Sequence, residues 1–365
     1  MAVGVGMALA RAERERRAVS ERRARDRRFA LLASERVGEG LRRMALGQLD
    51  VAIESLEGAD ASMSPEQRVH EARKALKRLR ALLRLVRDEL GERAYARESA
   101  LVRRTGRRLA QARDAGVLLN TLDDLIKRHP KKLGSRRGVQ RLRARLQTER
   151  DGAAELALTD SATRAGVLDD LRALRVRVAG WQLADPGGIE AVEASLQRLY
   201  ATGRRRMRRA ERAEQAPGRK LHEWRKRVKD LRYAAEMLQR SDGDAKRPRK
   251  GAGAKTSKRA RKASSAEAAF IGRVARRADD LGELLGEEHD LAVLAERVRT
   301  EAKATRASGA PGPRTRRALL RLIARRRRRL RKRALRGGRR LFARTPKSFV
   351  RRVRAAAALG SVSRR

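Results

Sequence analysis

Apolar residues recur every three or four positions along most of the chain, which is the period of an amphipathic α-helix. One such face carries Val69, Leu76, Leu79, Leu83, Val86 and Leu90. No segment of useful length alternates with the two-residue period of a strand. The pattern therefore predicts an all-α fold.

Turn-forming residues divide this pattern into separate helices. Ser64 and Pro65 are typical of an N-cap and a first helical position, and the Asp-Pro-Gly-Gly turn at 185–188 is the strongest in mid-chain. The predicted helices span residues 34–57, 65–90, 92–128, 135–157, 162–180, 188–214, 217–240, 265–303, 313–342 and 346–358. Residues 242–264 are rich in Lys, Arg, Gly, Ala and Ser without an apolar period, which predicts a flexible basic loop.

The two sets of helices resemble each other in sequence. From His70 to Arg80, seven of eleven residues are identical to those from His222 to Arg232. A second block pairs residues 109–118 with 285–294, and the larger offset of this block makes 242–264 an insertion in the second copy. We therefore expect two four-helix bundles related by a pseudo-two-fold axis.

This repeat sets the expected domain organisation. Residues 1–33 form a charged N-terminal extension, residues 34–184 the first bundle half and residues 185–355 the second half with its insertion. Residues 356–365 are a tail. We refer to 34–184 and 185–355 below as the first and second halves.

Each repeated helix carries one cationic stripe and one apolar stripe on opposite sides. At about 100° per residue, four cations lie within about 60° of His70, namely Arg73, Lys74, Lys77 and Arg84, and Arg80 lies within about 80°. The second copy places Arg225, Lys226 and Lys229 beside His222 in the same way. A solvated face usually mixes both signs of charge, whereas these stripes are basic over three turns, and Glu71 is expected to project to another side.

The composition points in the same direction. Lys and Arg total 94 against 44 Asp and Glu, a net charge of +50. This surplus favours a polyanionic partner: nucleic acid, anionic lipid, acidic protein or an inorganic phosphate polymer. Arg binds phosphate oxygens in bidentate fashion, and cations spaced about one helical turn apart suit a linear phosphate chain. Arg326, Arg329 and Arg333 fall on one face of the last long helix, although a disordered or nucleic-acid-binding arm is an equal interpretation of that stretch.

The composition also excludes several classes of protein. The chain has no Cys, so a disulfide framework, a thiol nucleophile and a cysteine-ligated metal are excluded. The longest stretch without a charged residue is ten residues, too short for a membrane span, so we expect a cytoplasmic protein without membrane contact. The sequence contains neither a Walker-type loop nor paired carboxylates that would indicate an enzyme. We therefore expect no catalytic residues, metal or cofactor.

The motif His-x-x-Arg-Lys-x-x-Lys-x-Leu-Arg at His70 and His222, with Gly-Glu-Glu-His-Asp-Leu-Ala-Val-Leu from Gly286 to Leu294, resembles the CHAD (conserved histidine α-helical) domain family. Arg113 fills the place of His289 in the first copy. The resemblance covers about residues 34–355. It implies two pseudo-symmetric four-helix bundles, binding of long-chain inorganic polyphosphate on a basic surface, and recruitment to polyphosphate granules.

The resemblance makes the histidines and basic residues of both copies the expected ligand contacts. The complete candidate set is His70, Arg73, Lys74, Lys77, Arg80, Arg84, Arg113, His222, Arg225, Lys226, Lys229, Arg232, His289, Arg326, Arg329 and Arg333. The alternative function is non-specific binding to the backbone of duplex nucleic acid. Single-strand binding is disfavoured, because none of the nine aromatic residues clusters on a basic stripe.

Overall fold

The computed structural model describes residues 21, 24–32, 35–109, 114–134, 136–159, 161–184, 188–213, 218–241, 258–304 and 312–362. These residues are almost entirely helical, which confirms the all-α prediction. The helices are α1 (Val37–Glu57), α2 (Pro65–Leu85), α3 (Arg87–Arg108), α4 (Asp114–Arg128), α5 (Arg137–Thr159), α6 (Ser161–Ala179), α7 (Glu190–Glu211), α8 (Gly218–Leu238), α9 (Lys258–Ala304), α10 (Pro313–Leu341) and α11 (Pro346–Val362).

Most helix boundaries follow the turn signals of the sequence. Ser64 caps α2 in a capping box: its hydroxyl accepts from the Gln67 N–H, while the Gln67 side chain accepts from the Ser64 N–H. The expected second helix, 65–90, ends earlier than predicted, at Leu85. A kink follows inside α3 at Gly91, whose φ of 74° belongs to the left-handed region, and α3 continues beyond it to Arg108.

Two further predicted helices differ from the structure. The expected helix 92–128 is divided into α3 and α4, and residues 110–113 between them lie outside the described residues. The expected helix 265–303 begins earlier, at Lys258, so the last seven residues of the expected basic loop are helical. Helix α9 is 47 residues long and corresponds in the repeat to both α3 and α4.

Two-residue strands join the N-terminal segment to the end of α8. Strand β1 (Leu31–Leu32) pairs in parallel with β2 (Arg240–Ser241). Arg43 on α1 holds this segment down, because its guanidinium donates to the carbonyls of Arg28 and Ala30 and pairs with Glu35 at 2.6 Å. Phe29 lies edge-on to Tyr233, with ring centroids 6.1 Å apart. The segment therefore packs beside the C-terminal part of α8.

The helices of the two halves pack in corresponding pairs. Helix α1 packs on α2 and α6, as α7 packs on α8 and α11; α4 packs on α5, as the C-terminal part of α9 packs on α10. The two repeated helices, α2 and α8, also contact each other directly.

The buried apolar side chains form two clusters, and each draws on both halves of the chain. The larger cluster joins α1, α2, α3 and α6 to α7, α8, α11 and the N-terminal part of α9. The smaller cluster joins α4 and α5 to α10 and the C-terminal part of α9. Burial of these side chains supplies the main stabilisation of the fold.

Close packing around one helical glycine predicts a stability effect. A Cβ atom at Gly203 on α7 would lie 2.7 Å from the Phe342 ring, which is itself buried. Gly203→Ala should lower the free energy of unfolding by about 1–3 kcal/mol, measured by urea denaturation. Gly106→Ala on α3 is the matched control, because nothing lies within 4 Å of its Cβ, and it should leave stability unchanged or raise it by up to about 1 kcal/mol. Equal stability of the two variants would contradict this packing.

Candidate functional site

The cationic stripes of α2 and α8 line one shared groove. The groove has a volume of about 550 Å³ and is completed by side chains of α4 and α9. Eleven Lys and Arg side chains line it against two carboxylates. The lining residues are His70, Arg73, Lys74, Lys77, Arg78, Arg80, Arg84, Val117, Leu118, His222, Arg225, Lys226, Arg227, Lys229, Asp230, Arg232, Tyr233, His289, Asp290 and Val293.

Twelve of the sixteen candidate residues lie in this groove, six from α2, five from α8 and His289 from α9. Arg113 lies outside the described residues. Arg326, Arg329 and Arg333 do not line the groove. Arg326 forms a bidentate pair with Glu287 at 2.6 and 2.8 Å, whereas Arg329 and Arg333 are exposed on α10.

Acidic side chains modify both stripes at matched positions. Lys74 pairs with Glu71 at 3.0 Å, and Lys226 pairs with Glu223 at 3.0 Å. Glu71 itself does not line the groove and contributes to a separate pocket with Arg68, but the long Lys74 side chain reaches it because residues three apart on a helix are neighbours. These exposed pairs are weak, so an anion can compete for either lysine.

One buried carboxylate connects the two stripes across the groove. Asp230 on α8 is 6% exposed and accepts from Arg84 of α2 at 2.8 Å, while Arg227 lies 3.1 Å from its other oxygen. Arg78 occupies the place of Asp230 in the first copy of the repeat. The centre of the groove is thus asymmetric, with an acid from the second copy holding cations from both.

Several arginines lie close together next to this carboxylate. Burial lowers the pKa of Arg80, and the neighbouring guanidinium groups of Arg84, Arg103 and Arg227 lower it further. The corresponding residue of the second copy, Arg232, is paired instead with Glu236 at 2.6 Å. At this pair of equivalent positions the first half contributes the less neutralised cation, which favours an incoming anion near Arg80.

At the other end of the groove two histidines pack against each other. The rings of His222 and His289 are tilted by 33°, with centroids 4.3 Å apart, and the Nδ1 atom of His222 is buried without a hydrogen-bond partner. Burial, His289 and the cations Lys226 and Arg225 lower the pKa of His222 to about 4. Burial and Arg225 also lower the pKa of His289. Both rings are therefore neutral at pH 7, whereas His70 is exposed.

Helix α10 supports this end of the groove from behind. Glu288 on α9 is 2% exposed and accepts from Arg327 and Arg331 of α10 at 2.9 and 2.8 Å. Because Glu288 precedes His289 directly, these two ion pairs fix the part of α9 that carries His289. The inner arginines of α10 therefore act on the site through α9.

Several lining residues were not among the candidate ligand contacts of the sequence. These are Arg78, Val117, Leu118, Arg227, Asp230, Tyr233, Asp290 and Val293. The repeat alignment carried one signal, since Asp230 interrupts an otherwise basic motif at the position of Arg78. The contributions of α4 and of Tyr233 depend on tertiary packing, for which the sequence held no signal.

Among the residues that the structure describes, no three His, Cys, Asp or Glu side chains are grouped as metal ligands. Within the same residues, none of the helices is both long enough and apolar enough to cross a membrane. The groove itself offers cationic donors and neutral imidazoles, which are groups that bind anions.

Comparison with known proteins is consistent with this architecture. The chain resembles the crystal structure of the CHAD domain from the plant Ricinus communis, with a TM-score of 0.58 and 20% identity over 86% of this chain and 94% of that one. It also resembles PptA from Streptomyces chartreusis, with a TM-score of 0.55 and 17% identity over 85% of this chain and 100% of that one. No curated protein matches the sequence. A family model described as the CHAD domain matches residues 43–252, more than half of the chain, and the protein therefore belongs to the CHAD domain family.

Proposed function

We propose that the groove binds long-chain inorganic polyphosphate through the duplicated His, Arg and Lys stripes. The observation that carries this proposal is the convergence of both repeated motifs on one groove, with eleven cations against two carboxylates. A thin, flexible, continuously charged chain can lie between α2 and α8 and meet cations from both sides. Arginine forks and lysine point charges then take up successive phosphate oxygens.

The corresponding helix pairs support a two-fold relation between two four-helix bundles. The direct contact of α2 with α8 then lies near the relating axis. In this arrangement a polymer entering near His70 meets a second, similar set of cations near His222. A chain that spans both sets gains a second binding event without a second loss of translational freedom.

The proposed role is binding without chemistry on the polymer. Polyphosphate incubated with the protein should therefore release no inorganic phosphate, and release at a rate proportional to protein concentration would contradict this role. Affinity for the polymer also suffices to recruit the protein to polyphosphate granules. A fluorescent fusion should follow the granules and become diffuse when the groove lysines are reversed.

A length series tests the proposal directly. Affinity for polyphosphate, measured by titration at fixed salt, should rise steeply at the chain length that first spans both halves, and only slowly beyond it. An excess of duplex nucleic acid should leave polyphosphate in the groove. Gradual dependence on length, together with displacement by any polyanion of equal charge, would reduce the groove to a non-specific cationic surface.

A further inference from the structure

The outer face of α10 carries a line of cations separate from the groove. Its eight members recur at intervals of three or four residues, and all are exposed. They are Arg314, Arg317, Arg321, Arg325, Arg328, Lys332, Arg336 and Arg339, and we call this set the α10 ridge. None of them lines the groove.

The ridge is a rigid, one-sided feature. At about 100° per residue its members occupy an arc of about 100°, and at 1.5 Å of rise per residue it is about 38 Å long. Leu319, Ile323 and Leu330 lie on the opposite side and are fully buried in the smaller cluster. The buried side fixes the helix against α9, so the cations point away from the bundle in a straight line.

Its charge is hardly compensated. Within the described part of the chain, Arg339 is the one ridge residue with a carboxylate in ion-pair range, namely Glu211. The end of α4 and the turn after it add four exposed cations, Lys127, Arg128, Lys131 and Lys132, of which Arg128 lies 3.9 Å from Glu287. Burial lowers the pKa of His129 in this turn, and two cations lower it further: Lys132 from the turn and Arg325 from the ridge. The cations of the turn therefore lie close to the ridge. Charges of the same sign at this spacing repel each other, and a bound polyanion would relieve this unfavourable electrostatic energy.

We propose that the α10 ridge docks on the sugar-phosphate backbone of duplex nucleic acid, independently of polyphosphate in the groove. A straight convex line of about 38 Å matches a rigid polyanionic rod whose helical repeat is about 34–36 Å. All eight members are exposed Arg or Lys, side chains that contact phosphate oxygens, so we expect the ridge to bind the backbone without reading the base sequence. A bilayer fits less well, because the ridge offers no apolar side chain to the lipid interface.

Two matched variants test this docking. The ridge variant combines Arg321→Gln, Arg325→Gln, Arg328→Gln and Lys332→Gln. The control variant replaces four exposed arginines of α3 and α7 that belong to neither surface, Arg93→Gln, Arg107→Gln, Arg205→Gln and Arg209→Gln. Binding to a fluorescent DNA duplex of mixed sequence is measured by anisotropy over a salt series, using the full chain. Circular dichroism shows whether each variant keeps its helices.

The ridge variant should bind the duplex at least tenfold more weakly than the wild type, and its log–log salt slope should be smaller by about three to four, since each lost phosphate contact removes about 0.9. The control variant should keep most of the affinity and slope. Polyphosphate binding should stay close to wild type in the ridge variant, so failure of the groove proposal is seen separately. An equal loss of duplex affinity in the ridge and control variants would overturn the proposal. It would also be overturned if the ridge variant lost binding to phosphatidylserine vesicles while its duplex binding stayed unchanged.

Discussion

Lys77→Glu combined with Lys229→Glu is expected to lower the affinity for polyphosphate by two orders of magnitude or more. The two lysines hold equivalent places in the repeat and line the same groove from α2 and α8. Their reversal removes two cations from the path of the polymer and places two carboxylates there. Each phosphate contact that is lost no longer releases a counterion on binding. The log–log salt slope should therefore become shallower by the amount expected for about two phosphate contacts.

A control with the same change in net charge separates the groove from general electrostatics. Arg93→Glu with Lys347→Glu alters two exposed residues that lie outside the groove lining. This variant should bind polyphosphate within about threefold of the wild type, while circular dichroism should show unchanged helix content in both proteins. Similar losses in the two double variants would mean that the total charge, and not the groove, holds the polymer.

Polyphosphate binding is also expected to take up protons and to tighten by about tenfold or more as the pH falls from 7.5 to 5.5. The pKa of His222 is about 4 in the empty groove, so its ring is neutral over this range, and burial with Arg225 also lowers the pKa of His289. A polyanion beside them favours their charged forms and raises both pKa values. The bound state then holds more protons than the unbound state, so affinity increases as pH decreases.

The same histidines should make the empty protein sensitive to acid. In the unfolded chain His222 regains an ordinary pKa of about 6.5, so below that pH the unfolded state binds more protons than the folded state. Stability is therefore lost as the pH falls from 6.5 towards 4. His222→Gln should flatten the dependence on pH of both stability and polyphosphate binding. His70→Gln is the matched control, because the His70 ring is exposed. Identical pH profiles for wild type and His222→Gln would contradict the role assigned to the His222–His289 pair.

The sequence was most informative about features that depend on the helical period alone, such as which side chains share one face of a helix. A helical wheel alone assigned the basic face of α2, because the neighbours of His70 depend only on helix geometry. The wheel failed on residues 325–333 of α10, where cations fall on all sides of the helix. There the Glu287 partner of Arg326, supplied by another helix, decides which arginines point inward. The convergence of α2 and α8 was equally hidden, since it depends on how the two halves pack.

The ion pairs and ring contacts of the groove could not be predicted from the sequence pattern either. Asp230 was visible as a break in a basic motif, but its partner Arg84 lies 146 residues away in sequence. The pairing of His222 with His289 joins two blocks that the alignment had treated separately. Such contacts follow from tertiary packing, which sets distance, burial and hence pKa.

The shared hydrophobic clusters determine how this chain can be divided. Because each cluster takes side chains from residues before and after the turn that includes Gly188, a gene cut at that turn would encode two fragments that each lack part of their own interior. Neither fragment should be stable when expressed by itself, while co-expression should restore a complementing heterodimer. The duplication visible in the sequence thus does not mark two units that evolution or an engineer could separate and reuse.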